Sequence, residues 1–429
     1  MNKYSLNYAQ QLDKQDPLAT MRAQFCIPKQ DNSEEEYYFT GNSLGLQPKL
    51  AREYVLEFLD SWQQRGVKGH FEGDHPWMPY HEFLTEQAAQ LVGGNNNEVV
   101  MMNSLTANLH FMMVSFYQPQ GKRTKILIED HAFPSDHYAV ESQLKHHDLN
   151  EQKNLLLWQP RQDEELLNHD DLYQLIEQHG DEIALLLLPG VQYYTGQVLD
   201  MKTITEKAHA KGINVGFDLA HAVGNIELSL HDWQVDFACW CSYKYLNAGA
   251  GSVAGCFVHQ QHAQNTELNR FAGWWGHDKT TRFNMVNNFQ PIATAEGWQL
   301  SNPPVLSLAA IRGSFDTIKM AGGIKTLRKK SLKLTQYLLD LLNLELNGKI
   351  TVITPLAEHQ RGCQLSLVIN KQVINDLGIN GKTLFNRIEA KGVTTDWREP
   401  NVIRIAPVPL YNSFSDIYHF IRILKACLV

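Results

Sequence analysis

The chain has 429 residues, 43% of them hydrophobic and 20% charged, a globular composition too long for one hydrophobic core. Its formal charge is −8, from 38 Lys+Arg against 46 Asp+Glu, and no Lys/Arg-rich block would track a phosphate backbone, which argues against nucleic acid as a partner. Residues 1–19 lack the apolar core of a signal peptide and the densest aliphatic run, 183–188, is far too short to span a bilayer, so the expected compartment is the cytoplasm with no membrane partner.

From residue 99 to 258, short apolar runs alternate with amphipathic stretches, the pattern of a mainly parallel sheet covered by helices. Strands are predicted over 125–129, 154–158, 183–188, 213–217, 235–240 and 252–258, and helices over 172–178 and 203–211. Two long helices follow at 307–318 and 327–346. The second opens a C-terminal unit with strands at 364–369 and 401–405 and a helix at 415–426. The expectation is an α/β fold in which 61–320 form a large domain and 321–429 a smaller α+β domain, which the N-terminal segment 1–60 joins because it is too small to fold alone.

The six cysteines (Cys26, Cys239, Cys241, Cys256, Cys363, Cys427) are too sparse for a disulfide framework and fit reduced thiols. Cys239 and Cys241 alternate inside an apolar strand without the usual metal-binding spacing, so no metal is expected.

Chemistry concentrates at two strand ends. In Val-Gly-Phe-Asp-Leu-Ala-His at 215–221, Asp218 and His221 fall just past a parallel strand, where ligands of open α/β sheets gather. Taken singly, such an Asp is a helix cap or turn residue. In Cys-Trp-Cys-Ser-Tyr-Lys-Tyr-Leu-Asn-Ala-Gly-Ala-Gly at 239–251, an apolar strand runs directly into Lys244. Alone, that lysine is a surface charge. Between two tyrosines and ahead of a glycine-rich stretch, it is also a candidate amine nucleophile towards an aldehyde. A lysine for a Schiff base and a carboxylate facing a pyridine nitrogen are the two groups that pyridoxal 5'-phosphate (PLP) catalysis needs.

Asp218 and Lys244 in this order resemble the fold-type-I PLP enzymes. The runs at 41–48 (Gly-Asn-Ser-Leu-Gly-Leu-Gln-Pro), 103–106 (Asn-Ser-Leu-Thr), 133–138 (Phe-Pro-Ser-Asp-His-Tyr), 274–277 (Trp-Trp-Gly-His), 301–304 (Ser-Asn-Pro-Pro) and 404–413 (Arg-Ile-Ala-Pro-Val-Pro-Leu-Tyr-Asn-Ser) narrow the resemblance to the kynureninase family. They span nearly the whole chain.

The resemblance implies a large PLP-binding domain with a mainly parallel sheet, beside the smaller domain. It assigns the cofactor phosphate to Leu105, Thr106 and Tyr243, ring stacking to Phe133, and the ring's polar edge to Asp136, Asp218 and His221. Thr106 opens an apolar helix-like run, so an anion at a helix N-terminus is physically reasonable there. Tyr243 is also implied as a proton donor, with Lys244 as cofactor anchor and base for the α proton. Trp274 and Asn302 match family positions at cofactor and substrate that come from a partner subunit, which implies a homodimer with shared active sites. Arg404 is implied to bind the substrate carboxylate, completed by Asn42 and Ser43; a structural ion pair is its other reading.

The implied reaction is hydrolytic Cβ–Cγ cleavage of L-kynurenine or 3-hydroxy-L-kynurenine to anthranilate or 3-hydroxyanthranilate plus L-alanine. His70, Ser301 and Asn302 resemble the polar pocket of members that favour the hydroxylated substrate; otherwise His70 is a loop histidine. Two rival readings stand beside this one. A cysteine desulfurase would need a mobile-loop thiol, for which Cys363 is the candidate, although it precedes an apolar strand. A non-catalytic PLP-fold scaffold would be expected to lose Lys244 or Arg404, and both are present.

Overall fold

A computed structural model describes residues 4–265 and 267–428. Seven strands form the large sheet: β1 (Val99–Met101), β2 (Lys125–Glu129), β3 (Leu155–Trp158), β4 (Ile183–Pro189), β5 (Asn214–Asp218), β6 (Phe237–Trp240) and β7 (Gly255–Val258). Their spatial order is β1-β7-β6-β5-β4-β2-β3. The five strands from β6 to β3 are parallel, whereas β7 runs antiparallel to both β6 and β1. Strands covered on both faces read as continuous apolar runs, and β4 is buried from Ile183 through Leu188. The return strand β7 passes so close to β6 that a Cβ on Gly255 would lie 2.1 Å from the Trp240 ring, so this position requires glycine.

Parallel pairing has one functional consequence. It brings the carboxyl ends of β2, β4 and β5 together along one edge, with Glu129, Pro189 and Asp218 as their last residues. At the other end, the Asp236 carboxylate accepts from the Val215 backbone N–H at 2.6 Å and from His209 and His262 at 2.8 and 2.6 Å, which pins the entry of β5.

A second, antiparallel sheet comprises β8 (Ile350–Val352), β9 (Leu365–Ile369), β10 (Asp396–Arg398) and β11 (Val402–Ile405), in the order β8-β9-β11-β10. The N-terminal segment packs beside it, Tyr37 and Tyr38 pairing parallel to Val393 and Thr394 in a separate two-stranded sheet. Phe39 and Ala9 sink into the same core as Leu338, Leu367, Ile403 and Phe420.

All the strands expected between 125 and 258 form, with ends shifted by up to three residues, as do those at 364–369 and 401–405. Three further strands, β1, β8 and β10, have only three residues each, too few to produce a periodicity. Helix α1 (Lys49–Arg65) was likewise not expected; α2 (Leu105–Phe116), α3 (Pro134–His146) and α4 (Val305–Met320) follow it, and α1 lies against α4. No helix among the described residues is long and apolar enough to cross a membrane.

Candidate active site

Where the β2, β4 and β5 ends face the second sheet, a cavity of about 390 Å³ opens. Of the residues expected at the site, Asn42, Ser43, Leu105, Thr106, Phe133, Asp136, Asp218, His221, Tyr243, Lys244 and Arg404 all line it. They come from positions 42 to 404, so tertiary structure alone assembles them.

Lys244 follows β6 in a turn closed by the Asn247 N–H donating to the Lys244 carbonyl at 3.0 Å. The N-terminal segment seals this turn from outside: the Gly45 N–H donates to the Tyr243 carbonyl at 2.8 Å, and a Cβ on Gly45 would sit 2.3 Å from the Lys244 carbonyl. The Lys244 ammonium donates to His221 Nε2 at 2.9 Å. Burial, then the Lys244, Arg404 and Arg398 charges, push the imidazole well below its ordinary value. His221 is therefore neutral, and its proton sits on Nδ1, which is buried without a partner.

Asp218 is anchored by the Ala220 N–H, which donates to Oδ1 at 2.7 Å. Burial pushes its carboxyl up, against the pull of Lys244, that N–H and Asp136. Asp136, in the first turn of α3, is held well above the ordinary carboxyl range by burial and then by the Asp218 charge. Of the two acids, Asp136 is thus the one held further above its ordinary value. Burial also raises the Tyr243 hydroxyl, which keeps it a proton donor.

These donors fit PLP. Leu105 and Thr106 start α2, whose N-cap Ser104 makes no side-chain cap hydrogen bond, so first-turn N–H groups are unspent and face the cavity. Phe133 presents an exposed ring, 45% accessible, with the Lys244 Nζ 5.9 Å from its centroid. The buried Asp218 carboxylate and the unpartnered His221 Nδ1 suit a polar ring edge.

Opposite, Arg404 is 1% exposed. It donates through Nη2 to Asp396 at 2.6 Å and through Nη1 to the Tyr193 carbonyl at 2.7 Å, while Nε is buried without a partner. Burial lowers its basicity, against Asp396. The ion-pair reading of Arg404 is thus present in the geometry, together with donors left over for a ligand. Asn42 is fully buried, its Nδ2 donating to Gln364 Oε1 at 2.9 Å.

Four expected residues lie outside this cavity in the single chain. Trp274 and Asn302 are exposed, as is Ser301, and the Trp274 Nε1 donates to the Arg282 carbonyl at 3.2 Å. His70 packs edge-on to Trp77 at 5.1 Å. Cys363 is 1% exposed and its thiol is pushed up to about 12 by burial, which removes the mobile nucleophile a desulfurase reading requires.

Glu129, Tyr193 and Arg398 also line the cavity and were not anticipated. Glu129 ends β2; Gln192 Nε2 approaches its Oε1 at 3.5 Å, and Oε2 is buried without a partner. Burial, helped by Asp218 and Asp130 against the Gln192 hydrogen bond, pushes it up to about 8. A carboxyl raised from 4.5 binds its proton more tightly in the folded chain, so it costs stability progressively as pH rises from 4.5 to about 8. Glu129→Gln is therefore expected to match the parent at pH 4.5 and to be more stable at pH 8.5, by on the order of 3 kcal/mol, in thermal unfolding without cofactor. Equal melting temperatures at pH 8.5 would contradict this.

Comparison with known proteins agrees with this constellation. The kynureninase C-terminal domain model matches residues 327–424. Kynureninase of Koribacter versatilis is 50% identical over 416 residues, covering 97% of this chain and 96% of the relative. That of Flavobacterium psychrophilum is 49% identical (98% and 97% covered), and that of Mus musculus 46% identical (98% and 92% covered). Among solved structures, a C-DES mutant with glycine covalently linked to the PLP cofactor superposes with a TM-score of 0.75 at 15% identity, covering 94% of this chain and 98% of that one. An apo cysteine desulfurase from Thermococcus onnurineus gives 0.73 at 14%, with 95% and 97% covered. At such identities the superpositions establish the fold-type-I architecture and nothing about the reaction. Near-full-length identity around one half, joined to a cavity that holds the lysine, the strand-end aspartate and the buried arginine, places this chain in the kynureninase family.

Proposed function

We propose that the chain cleaves the Cβ–Cγ bond of L-kynurenine and 3-hydroxy-L-kynurenine by hydrolysis, releasing anthranilate or 3-hydroxyanthranilate and L-alanine. The observation that carries this reading is the single cavity shared by Lys244, Asp218 and Arg404. Pyridoxal phosphate, held by Leu105, Thr106, Phe133, Asp136, Asp218 and His221, supplies an electron sink for the substrate's α- and β-carbons. Arg404 binds the α-carboxylate through its unspent donors, with Asn42 and Ser43 closing that end, and so aims the α-carbon at Lys244. Lys244 Nζ takes the α proton; neutral His221, at 2.9 Å, accepts a hydrogen bond from it without adding charge. The Tyr243 hydroxyl returns a proton at Cβ once the aromatic half has left.

In this reading residues 61–320 form the cofactor domain and 321–429 with 1–60 the small domain. The working form is a cytoplasmic homodimer in which a second copy supplies Trp274 and Asn302. Support comes from Phe271, Trp274, Phe283, Met285 and Val286, all 42% exposed or more along one segment, an apolar surface that a second copy would cover. His70 and Ser301 would then face the substrate ring.

Release of anthranilate from kynurenine and of 3-hydroxyanthranilate from its 3-hydroxy derivative tests the function, and no release of either product would overturn it. The 3-hydroxylated substrate is expected to be used at least as well as kynurenine. His70→Phe should lower kcat/KM for it by about tenfold or more while sparing kynurenine, since only the hydroxyl loses a partner. A parent strongly preferring kynurenine would refute the specificity.

A further inference from the structure

Arg398 stands beside Arg404 in the same cavity, on terms that leave it free for a ligand. Strand β10 pairs with β11 so that Asp396 lies opposite Arg404, and Arg398, two residues on, shares the Asp396 face. One carboxylate oxygen serves both guanidiniums: Asp396 Oδ2 accepts from Arg404 Nη2 at 2.6 Å and from Arg398 Nη2 at 3.3 Å. Among the described residues, the one further hydrogen bond of Arg398 is 3.4 Å long, from Nη1 to the Trp397 carbonyl, and its Nε is buried without a partner. This wall of the cavity therefore carries two cations and one anion.

A substrate α-carboxylate on Arg404 balances one charge as it arrives. The reaction then creates another. Water forms a C–O bond to the γ-carbonyl carbon, and the Cβ–Cγ bond breaks with its electron pair passing to Cβ, which is later protonated. The γ-carbon leaves attached to the aromatic ring, carrying both oxygens as a carboxylic acid that is ionised at neutral pH; no oxidant or reductant is needed. Arg404 is 1% exposed and Arg398 35%, so Arg398 lies on the open side, the direction in which the aryl end must extend when the amine reaches Lys244.

We propose that Arg398 is a second anion contact of the site, which receives the carboxylate formed on the aromatic product. This rests on the cleavage reading above. The guanidinium stabilises the negative charge as it develops on the departing acyl group and holds the acid until release.

Inhibition of the holoenzyme by anthranilate, by its neutral isostere anthranilamide and by L-alanine tests it. In the parent, anthranilate should bind about tenfold or more tightly than anthranilamide. Arg398→Gln should erase that difference, leave L-alanine within about twofold, and lower kcat more than it changes KM for kynurenine; Arg398→Lys should restore part of the anthranilate affinity. Equal inhibition of the parent by acid and amide would overturn the proposal without any variant having to fold. So would a parallel loss of anthranilate and L-alanine affinity in Arg398→Gln, which would make Arg398 a support for Arg404. A parent that releases no anthranilate from kynurenine would instead defeat the cleavage reading.

Discussion

Lys244→Ala is expected to lose anthranilate release by about 10³-fold or more in kcat, because the substitution removes both the amine that anchors the cofactor and the base that takes the α proton. Lys244 is the one lysine among the described residues lining the cavity. His221 cannot replace it. Burial is the first cause of its depressed basicity, so the imidazole stays neutral and a weak base even after the neighbouring ammonium is gone. Two readouts separate this from simple unfolding. The variant should release cofactor on dialysis that the parent retains, and added methylamine should return part of the proton-transfer rate. Full activity in the variant would remove Lys244 from both roles.

Arg404→Gln is expected to raise KM for kynurenine by about 100-fold, with a smaller fall in kcat, since a charge-assisted bidentate contact to the α-carboxylate is lost in ground and transition states alike. The geometry adds a second cost. Asp396 keeps only its longer contact with Arg398, so a nearly buried carboxylate loses its main partner, at about 3 kcal/mol of stability. Thermal unfolding measures that cost, and the Michaelis constant measures the lost contact. Arg404→Lys should keep the charge and recover most of the stability, but less of the affinity, because an ammonium cannot serve Asp396, the Tyr193 carbonyl and a ligand in one plane. A Michaelis constant unchanged in Arg404→Gln would leave Arg404 with its structural role alone.

The strands that lead to Asp218 and Lys244 were legible locally, because a parallel strand buried on both faces is an apolar run and its polar terminus is visible beside it. The apolar helix-like run that Thr106 opens was legible in the same way and lies within α2, whereas Leu105 came from the resemblance alone. Motif order added Phe133, Tyr243 and Arg404 through a family resemblance, and all three line the cavity. Which charges meet, by contrast, depends on the fold. Glu129 ends an apolar strand much as Asp218 does. Nothing local tells the two apart, since the difference lies in Lys244, near Asp218, and Gln192, beside Glu129. Asp396 and Arg398 sit on a three-residue strand too short for any periodic signal, and they acquire meaning only because antiparallel register sets Asp396 opposite Arg404. Cys363, the candidate thiol of the desulfurase reading, is buried and withdrawn from chemistry. Local burial patterns are written in adjacent residues; the protonation and pairing of a site depend on Coulomb and desolvation effects between residues hundreds of positions apart, which only the folded chain brings into contact.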